Sequence, residues 1–302
     1  VPEEAILANL KADMLKDRAD AKKSQSSCFS ALERYAFYGP DFIKATTISN
    51  EALMALSSED LLGKVRDVFQ LGHEIFYYGP MSENEVKSTL ADAHYVAEGA
   101  QMQPEQYALY QLTPSDRVLM AQYDAPQLYY IQYSDRGEKF DPAQAGDIAL
   151  YNEYFGGGMN TIVFQEMREA RGLAYSAYAS LDEPSVTEDT YSFMAFIATQ
   201  NDKMRQAIEA FDEIINNMPE SEAAFAVAKE ALLSRLRTQR TTGMDVLRSY
   251  LACRRLGIAE PSDKAVFEKA QDATLADVVA TQQKWVEDRD YTYMILGDIK
   301  RS

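Results

Sequence analysis

A long-range repeat constrains this chain more than any other feature. Lys11 aligns with Lys229, Gly39 with Gly257 and Gly79 with Gly297, each at an offset of 218 residues (229−11, 257−39, 297−79). KADML around Lys11 matches KEALL around Lys229. SSEDLLGKVRDVFQLGHEIFYYG at residues 57–79 matches LADVVATQQKWVEDRDYTYMILG at residues 275–297. An ungapped register running from helix to helix to terminal strand predicts two copies of one domain of about 200 residues, an ordinary domain size. Residues 1–95 then match only the C-terminal part of a first copy, residues 96–112 form a linker, and residues 113–302 form a complete second copy. On this reading about 105 residues of the first copy should precede Val1, and the chain, which lacks an initiator Met, is a processed product or a cloned piece.

Within residues 113–302 strands group before helices. Residues 117–123 and 127–134, rich in Tyr and Val around Asp124-Ala125-Pro126, are expected strands. Residues 145–155 are an expected helix that stops at Gly156, and residues 160–171 a second helix. Strands are expected at residues 173–180 and 190–199, with a turn at Glu183-Pro184-Ser185 between them. Met204, Ile208, Phe211 and Ile215 share one helical face. Pro219 is expected to open the next helix, running to about Arg240, and Gly243 a third that ends at Gly257. A shorter helix at residues 275–287 and a strand at residues 291–296 complete the copy. This grouping specifies an α+β fold, a mostly antiparallel sheet packed with helices, instead of a parallel α/β fold.

The chain is 46% hydrophobic and 25% charged, which is globular composition. No apolar run approaches the ~20 residues that span a bilayer. The start, Val1-Pro2-Glu3-Glu4, is acidic and unlike a signal peptide. The chain is therefore expected to be soluble, with no membrane partner, in the cytoplasm or the periplasm alike. A net charge of −17 repels phosphate backbones and argues against nucleic acid as a partner. The same charge serves solubility, or an acidic chamber that attracts basic peptides. Cys28 and Cys253 both fall in helical patterns, where buried free thiols are expected.

Gly156-Gly157-Gly158 could suggest a phosphate cradle, but such loops follow a strand and precede Lys-Ser/Thr. Here a helix precedes and Met159-Asn160 follow. The glycines read instead as a helix stop joined to a new helix, and three of them point to close approach of another backbone. His73-Glu74 opens an HExxH pattern that Tyr77 breaks, and His94 is followed by Glu98 without a second histidine. Two histidines 21 positions apart are not expected to converge, and a peptidase zinc needs about three protein ligands. His73, aligned with Tyr291 just ahead of a strand, is expected to be structural. No GxSxG elbow occurs, and neither cysteine has a histidine within a few residues. No metal ligand set and no zinc general base is therefore expected in this chain.

Arg168 falls in the last turn of the helix at residues 160–171, and Tyr175 lies three residues past Gly172. Both tips can face one cleft, and both donate hydrogen bonds suited to an oxyanion. The plainer reading is a surface Arg near the negative helix pole and a half-buried Tyr.

The stretch GGGMNTIVFQEMREARGLAY, Gly156 to Tyr175, resembles the C-terminal signature of the insulinase/pitrilysin family of zinc metallopeptidases. The resemblance covers residues 113–302, and the repeat extends it to residue 1. It implies repeated α+β domains, with two halves closing around a chamber. In that family an HxxEH motif and a distant Glu hold zinc in the first domain. The C-terminal half carries no metal and supplies an Arg and a Tyr to the bound peptide, roles that fall here on Arg168 and Tyr175, beside a substrate loop at Gly156, Gly157 and Gly158. No HxxEH occurs in this chain. The implied function is the C-terminal part of a zinc metalloendopeptidase, inactive alone, with no cofactor of its own and zinc in the N-terminal half. Its implied partners are that zinc-bearing half or a partner subunit, and a peptide substrate. Self-association through the incomplete first copy is also expected. The alternative is a non-catalytic family member that serves as a structural or substrate-holding subunit.

Overall fold

A computed structural model describes residues 3–298 and residue 300. They form two compact units, residues 3–24, 40–108 and 241–249 in one and residues 25–39, 109–240 and 250–298, with residue 300, in the other.

The second unit is built on a five-stranded sheet of order β1-β5-β2-β4-β3, with β1 Arg117–Gln122, β2 Gln127–Lys139, β3 Ser176–Asp182, β4 Thr190–Gln200 and β5 Thr292–Gly297. Only β1 and β5 run parallel; the β2–β5, β2–β4 and β3–β4 pairs are antiparallel. One face carries Leu128, Tyr130, Phe193, Ile197 and Ile295 against a helical layer. That layer includes α6 Ala145–Phe155, α8 Met204–Asn216, α9 Glu222–Thr238, α11 Asp263–Asp272 and α12 Leu275–Trp285. The opposite face carries Ile131, Tyr133, Met294 and Leu296 and packs against Phe29 and Ala36. These two belong to α2 Gln25–Thr46, which is broken at Gly39 (φ 77°) so that only its first part joins this unit. Cover on both faces explains why β2 and β4 are apolar on successive residues instead of alternating.

Several elements differ from the sequence expectation. α11 went unread because it buries only Val266 and Ala270, too few apolar residues to mark a helical face. α9 begins at Glu222, three residues past Pro219, because Ser221 accepts from the Ala224 amide and caps it. β3 begins at Ser176 instead of residue 173, because the Leu173 and Ala174 amides both turn back to the Met167 carbonyl.

The first unit contains α1 Glu4–Ala21, α3 Asn50–Ala55, α4 Ser58–Val68 and α5 Glu83–Ala93. Lys11 of α1 reaches the carbonyls of Met54 (2.9 Å) and Leu56. Lys229 of α9 does the same to Gln271 (2.8 Å) and Ala273 (2.9 Å). Gly39 and Gly257, the aligned pair, both hold positive φ, at 77° and 67°. The capping boxes Ser57–Asp60 and Thr274–Asp277 stand 217 apart (274−57), so the register carries a one-residue gap that the 218 offset hides.

Residues 74–79, which align with β5, join no ladder; the first unit's described residues show only the isolated Gly72–Met102 bridge. Ile75, Tyr77 and Tyr78 are exposed there, whereas β5 is paired on both sides, between β1 and β2. An apolar strand-like segment without strand neighbours recruits other chains. Light scattering across a concentration series is expected to show association through this unit. A strict monomer at high concentration would refute it.

Lys269 lies 3.0 Å from both Asp147 and Asp277, tying α11 to α6 and α12. The Thr274 backbone amide and then Lys269 hold the Asp277 carboxyl down at about 2. A depressed carboxylate stabilises the fold above its unfolded pKa, and that stability is lost as pH falls. Denaturant midpoints are therefore expected to drop between about pH 4 and pH 2, and to drop less in Asp277→Asn, which lacks the titrating group.

Candidate functional site

α6 delivers the glycine loop. Its inward tyrosines fix it: Tyr151 donates to Gln282 (2.5 Å) and Tyr154 to the Pro219 carbonyl (2.7 Å). The Gly156 and Gly157 amides both close on the Asn152 carbonyl at 3.2 Å, ending the helix. Gly156 then lies against the edge strand β3, where its carbonyl accepts from the Ala179 amide at 3.0 Å. A Cβ at Gly156 would stand 2.6 Å from the Ala179 carbonyl carbon and closer still to its oxygen. The close backbone approach read from the glycines is thus located at one of the three. Gly157 and Gly158 have only ordinary contacts, with nearest atoms at 3.6 and 4.0 Å.

Asn152 completes the edge. Its side-chain amide donates to the Leu181 carbonyl (2.9 Å) and accepts from the Leu181 amide (2.8 Å), as a neighbouring strand would.

After the loop the Thr161 hydroxyl donates to the Gly158 carbonyl (2.6 Å), and a short α-turn at Ile162–Phe164 passes into a π-helix at Gln165–Ala170. The sequence suggested an uninterrupted α-helix over residues 160–171. The Arg171 amide bonds instead to the Glu166 carbonyl (3.2 Å), five residues back, and the widened turn is a recurrent feature of functional sites. Gly172, at φ 58°, reverses the chain into β3.

Two arginines of this segment are held differently. Arg171 is pinned by Glu213 (2.7 Å) and Glu166 (3.5 Å), and the Glu213 bond pushes its pKa up. Arg168 keeps a side chain 47% exposed, over the Phe164 ring at 5.0 Å and 3.7 Å from Glu169. Tyr175 is 74% exposed, although its backbone amide is tied to the Ala198 carbonyl at 2.9 Å. It lines a shallow cleft of about 240 Å³ with Gln127, Gly172, Thr199 and Lys203. Arg168 is not among that cleft's lining residues.

Gly157 and Gly158 line a different cleft of about 530 Å³, at the far end of β3, with Asn152, Glu153, Asp182 and Glu183. Asp182 and Glu183 reach solvent, yet the concave wall removes enough water to push both carboxyl pKa values up. Glu153 is neutralised by Arg235 at 3.3 Å. The candidate residues are therefore spread over both ends of one edge strand.

The histidines depart from expectation. His73 and His94 do converge, with their Nε2 atoms 2.6 Å apart. Among the described residues no group of three or more His, Cys, Asp or Glu side chains forms a metal site, so the donor set does not fit a peptidase zinc. No helix among the described residues is long and apolar enough to cross a membrane.

A family model described as the peptidase M16 inactive domain matches residues 56–232, more than half of the chain. No individually curated protein matches. Among solved structures, a peptidase M16 inactive domain from Pseudomonas fluorescens is 17% identical. Its TM-score is 0.70, with 98% of this chain and 70% of that one covered. A conserved protein from Enterococcus faecalis gives 14% identity and a TM-score of 0.72 over 96% of this chain and 67% of that one. The ferredoxin protease FusC, solved in complex with Arabidopsis ferredoxin, gives 12% and 0.71; this chain covers 32% of its length. At such identities the structural likeness is one of fold, and the family assignment rests on the model match. The chain belongs to the M16 peptidases, the insulinase/pitrilysin family, and carries their inactive domain.

Proposed function

We propose that the chain is the C-terminal, non-metal part of a zinc metalloendopeptidase. It forms one wall of the peptide chamber and presents Arg168 and Tyr175 to the substrate. The observation that carries this reading is the contrast between rigid backbone and open side chains at those two positions. Tyr175 leaves a hydrogen-bonded strand end with its ring in solvent, and Arg168 stands exposed beside the pinned Arg171. Side chains held this way suit a ligand from outside the chain better than packing within it.

Zinc in the complementary half would polarise the scissile carbonyl and activate water. This chain's part is to orient the peptide and to place a guanidinium and a phenol near the oxygen that gains negative charge. The glycine loop and the acidic cleft beside it, with Asp182 and Glu183, would hold a flanking stretch of an extended peptide, best one with basic side chains. Substrate-holding without catalysis remains the second reading.

The chain alone is expected to hydrolyse no peptide and, after dialysis, to carry no stoichiometric zinc. Adding an HxxEH-bearing half should produce hydrolysis that neither part shows separately. Metal analysis and a fluorogenic peptide assay check both. One tightly held zinc per chain, removed only by chelator, would overturn the assignment, as would hydrolysis by the chain alone.

A further inference from the structure

The geometry points to a separate cation site at His73 and His94. We infer that their two imidazoles bind one late first-row divalent ion of the Zn²⁺, Ni²⁺ or Cu²⁺ type. Such ions favour imidazole donors.

Both ligands stand on anchored backbone. His73 follows Gly72, whose amide bonds to the Gln101 carbonyl at 2.8 Å in the bridge to Met102. His94 closes α5, with its own amide on the Leu90 carbonyl at 2.8 Å. The rings meet edge to face, with centroids 4.8 Å apart and planes at 84°. Nδ1 of His73 lies 3.2 Å from the Leu71 carbonyl, which can only accept, so this nitrogen carries the proton. Nε2 of neutral His73 therefore presents a lone pair toward His94. A ligand histidine commonly has this arrangement, its outer N–H donated to a backbone carbonyl.

At 2.6 Å the two Nε2 atoms share a proton, the Nε2–H of His94 donating to the His73 lone pair, and a metal ion that displaces this proton finds both nitrogens converging on it. Two nitrogens at tetrahedral angles on zinc, each ~2.0–2.1 Å from the ion, are roughly 3.3 Å apart. Opening from 2.6 Å to that spacing needs only a small ring rotation, and both side chains are exposed. A positive charge at His94 also faces the negative end of α5. The net charge of −17 raises the local cation concentration further. With two protein donors the remaining positions go to water, so the ion exchanges readily and dialysis strips it. In place, it clips the end of α5 to the Gly72–Met102 bridge.

The test titrates the dialysed full chain with Zn²⁺ and, separately, Cu²⁺. Losing an outer partner of a ligand costs ~10–100-fold in affinity, so His73→Ala and His94→Ala should each weaken uptake by at least about tenfold. Wild-type melting temperature should rise with added Zn²⁺ because the ion binds the folded state, and neither variant should follow. These are the only two histidines in the chain, so imidazole NMR signals are directly assignable, and both should shift together with the ion. Circular dichroism establishes that the variants fold. Absence of saturable uptake in the micromolar range, uptake indifferent to both substitutions, or a shift of one histidine alone would each overturn the proposal.

Discussion

Gly156→Ala should lower the stability of the sheet unit by about 3 kcal/mol, at the upper end of the cost of forcing extra atoms into a packed site. The new Cβ would collide with the Ala179 carbonyl, which is backbone and cannot rotate away. Relief requires the loop to leave β3, breaking the Gly156–Ala179 hydrogen bond and disturbing the Asn152–Leu181 pair beside it. For a domain of this size the melting temperature should fall by roughly 6–12 °C. Gly157→Ala and Gly158→Ala are the controls. Neither glycine has positive φ or a neighbour closer than ordinary contact distance, so both should melt near wild type. Equal behaviour of all three variants would show that the loop does not pack on β3 as described.

Arg168→Ala and Tyr175→Phe should leave melting unchanged and act on catalysis in the assembled enzyme. Each removes one donor proposed to bind the developing oxyanion, a loss that typically lowers kcat by ~10²–10³-fold. Both side chains are exposed, and a surface substitution of this kind usually changes stability by only ~0.5 kcal/mol. Arg171→Ala offers the contrast: it breaks the contacts with Glu213 and Glu166 and should cost stability first. If activity in the Arg168 and Tyr175 variants is unchanged, or falls only in step with melting temperature, the two residues are structural.

What the sequence disclosed was local or periodic. The α8 face of Met204, Ile208, Phe211 and Ile215, the strands around Asp124-Ala125-Pro126 and the signature from Gly156 to Tyr175 each rest on neighbours within a few residues. The triplet of glycines announced a close approach for the same reason, since only steric crowding calls for more glycine than a helix stop needs. What stayed hidden depended on partners far along the chain. A π-turn keeps the composition of an α-helix and changes only which carbonyl accepts, so residues 165–170 gave no warning. The meeting of His73 with His94 depends on where α5 ends relative to the Gly72–Met102 bridge, which no spacing rule encodes. The role of Asn152 as a substitute strand neighbour looks, in sequence, like one more polar residue in the last turns of a helix. The one-residue slip between the repeats escaped because Gly79 and Gly297 restore the offset beyond it.

The cover on the second face of the sheet separates covalent order from packing order. Phe29 and Ala36 precede the stretch at residues 96–112, yet they shield Ile131, Tyr133, Met294 and Leu296, which follow it. Cleavage within 96–112 would therefore yield two polypeptides that stay together, because release would expose the apolar floor under α2 to water. A polypeptide beginning at residue 113 would start life with a bare sheet face, and would have to borrow a helix from elsewhere to remain in solution.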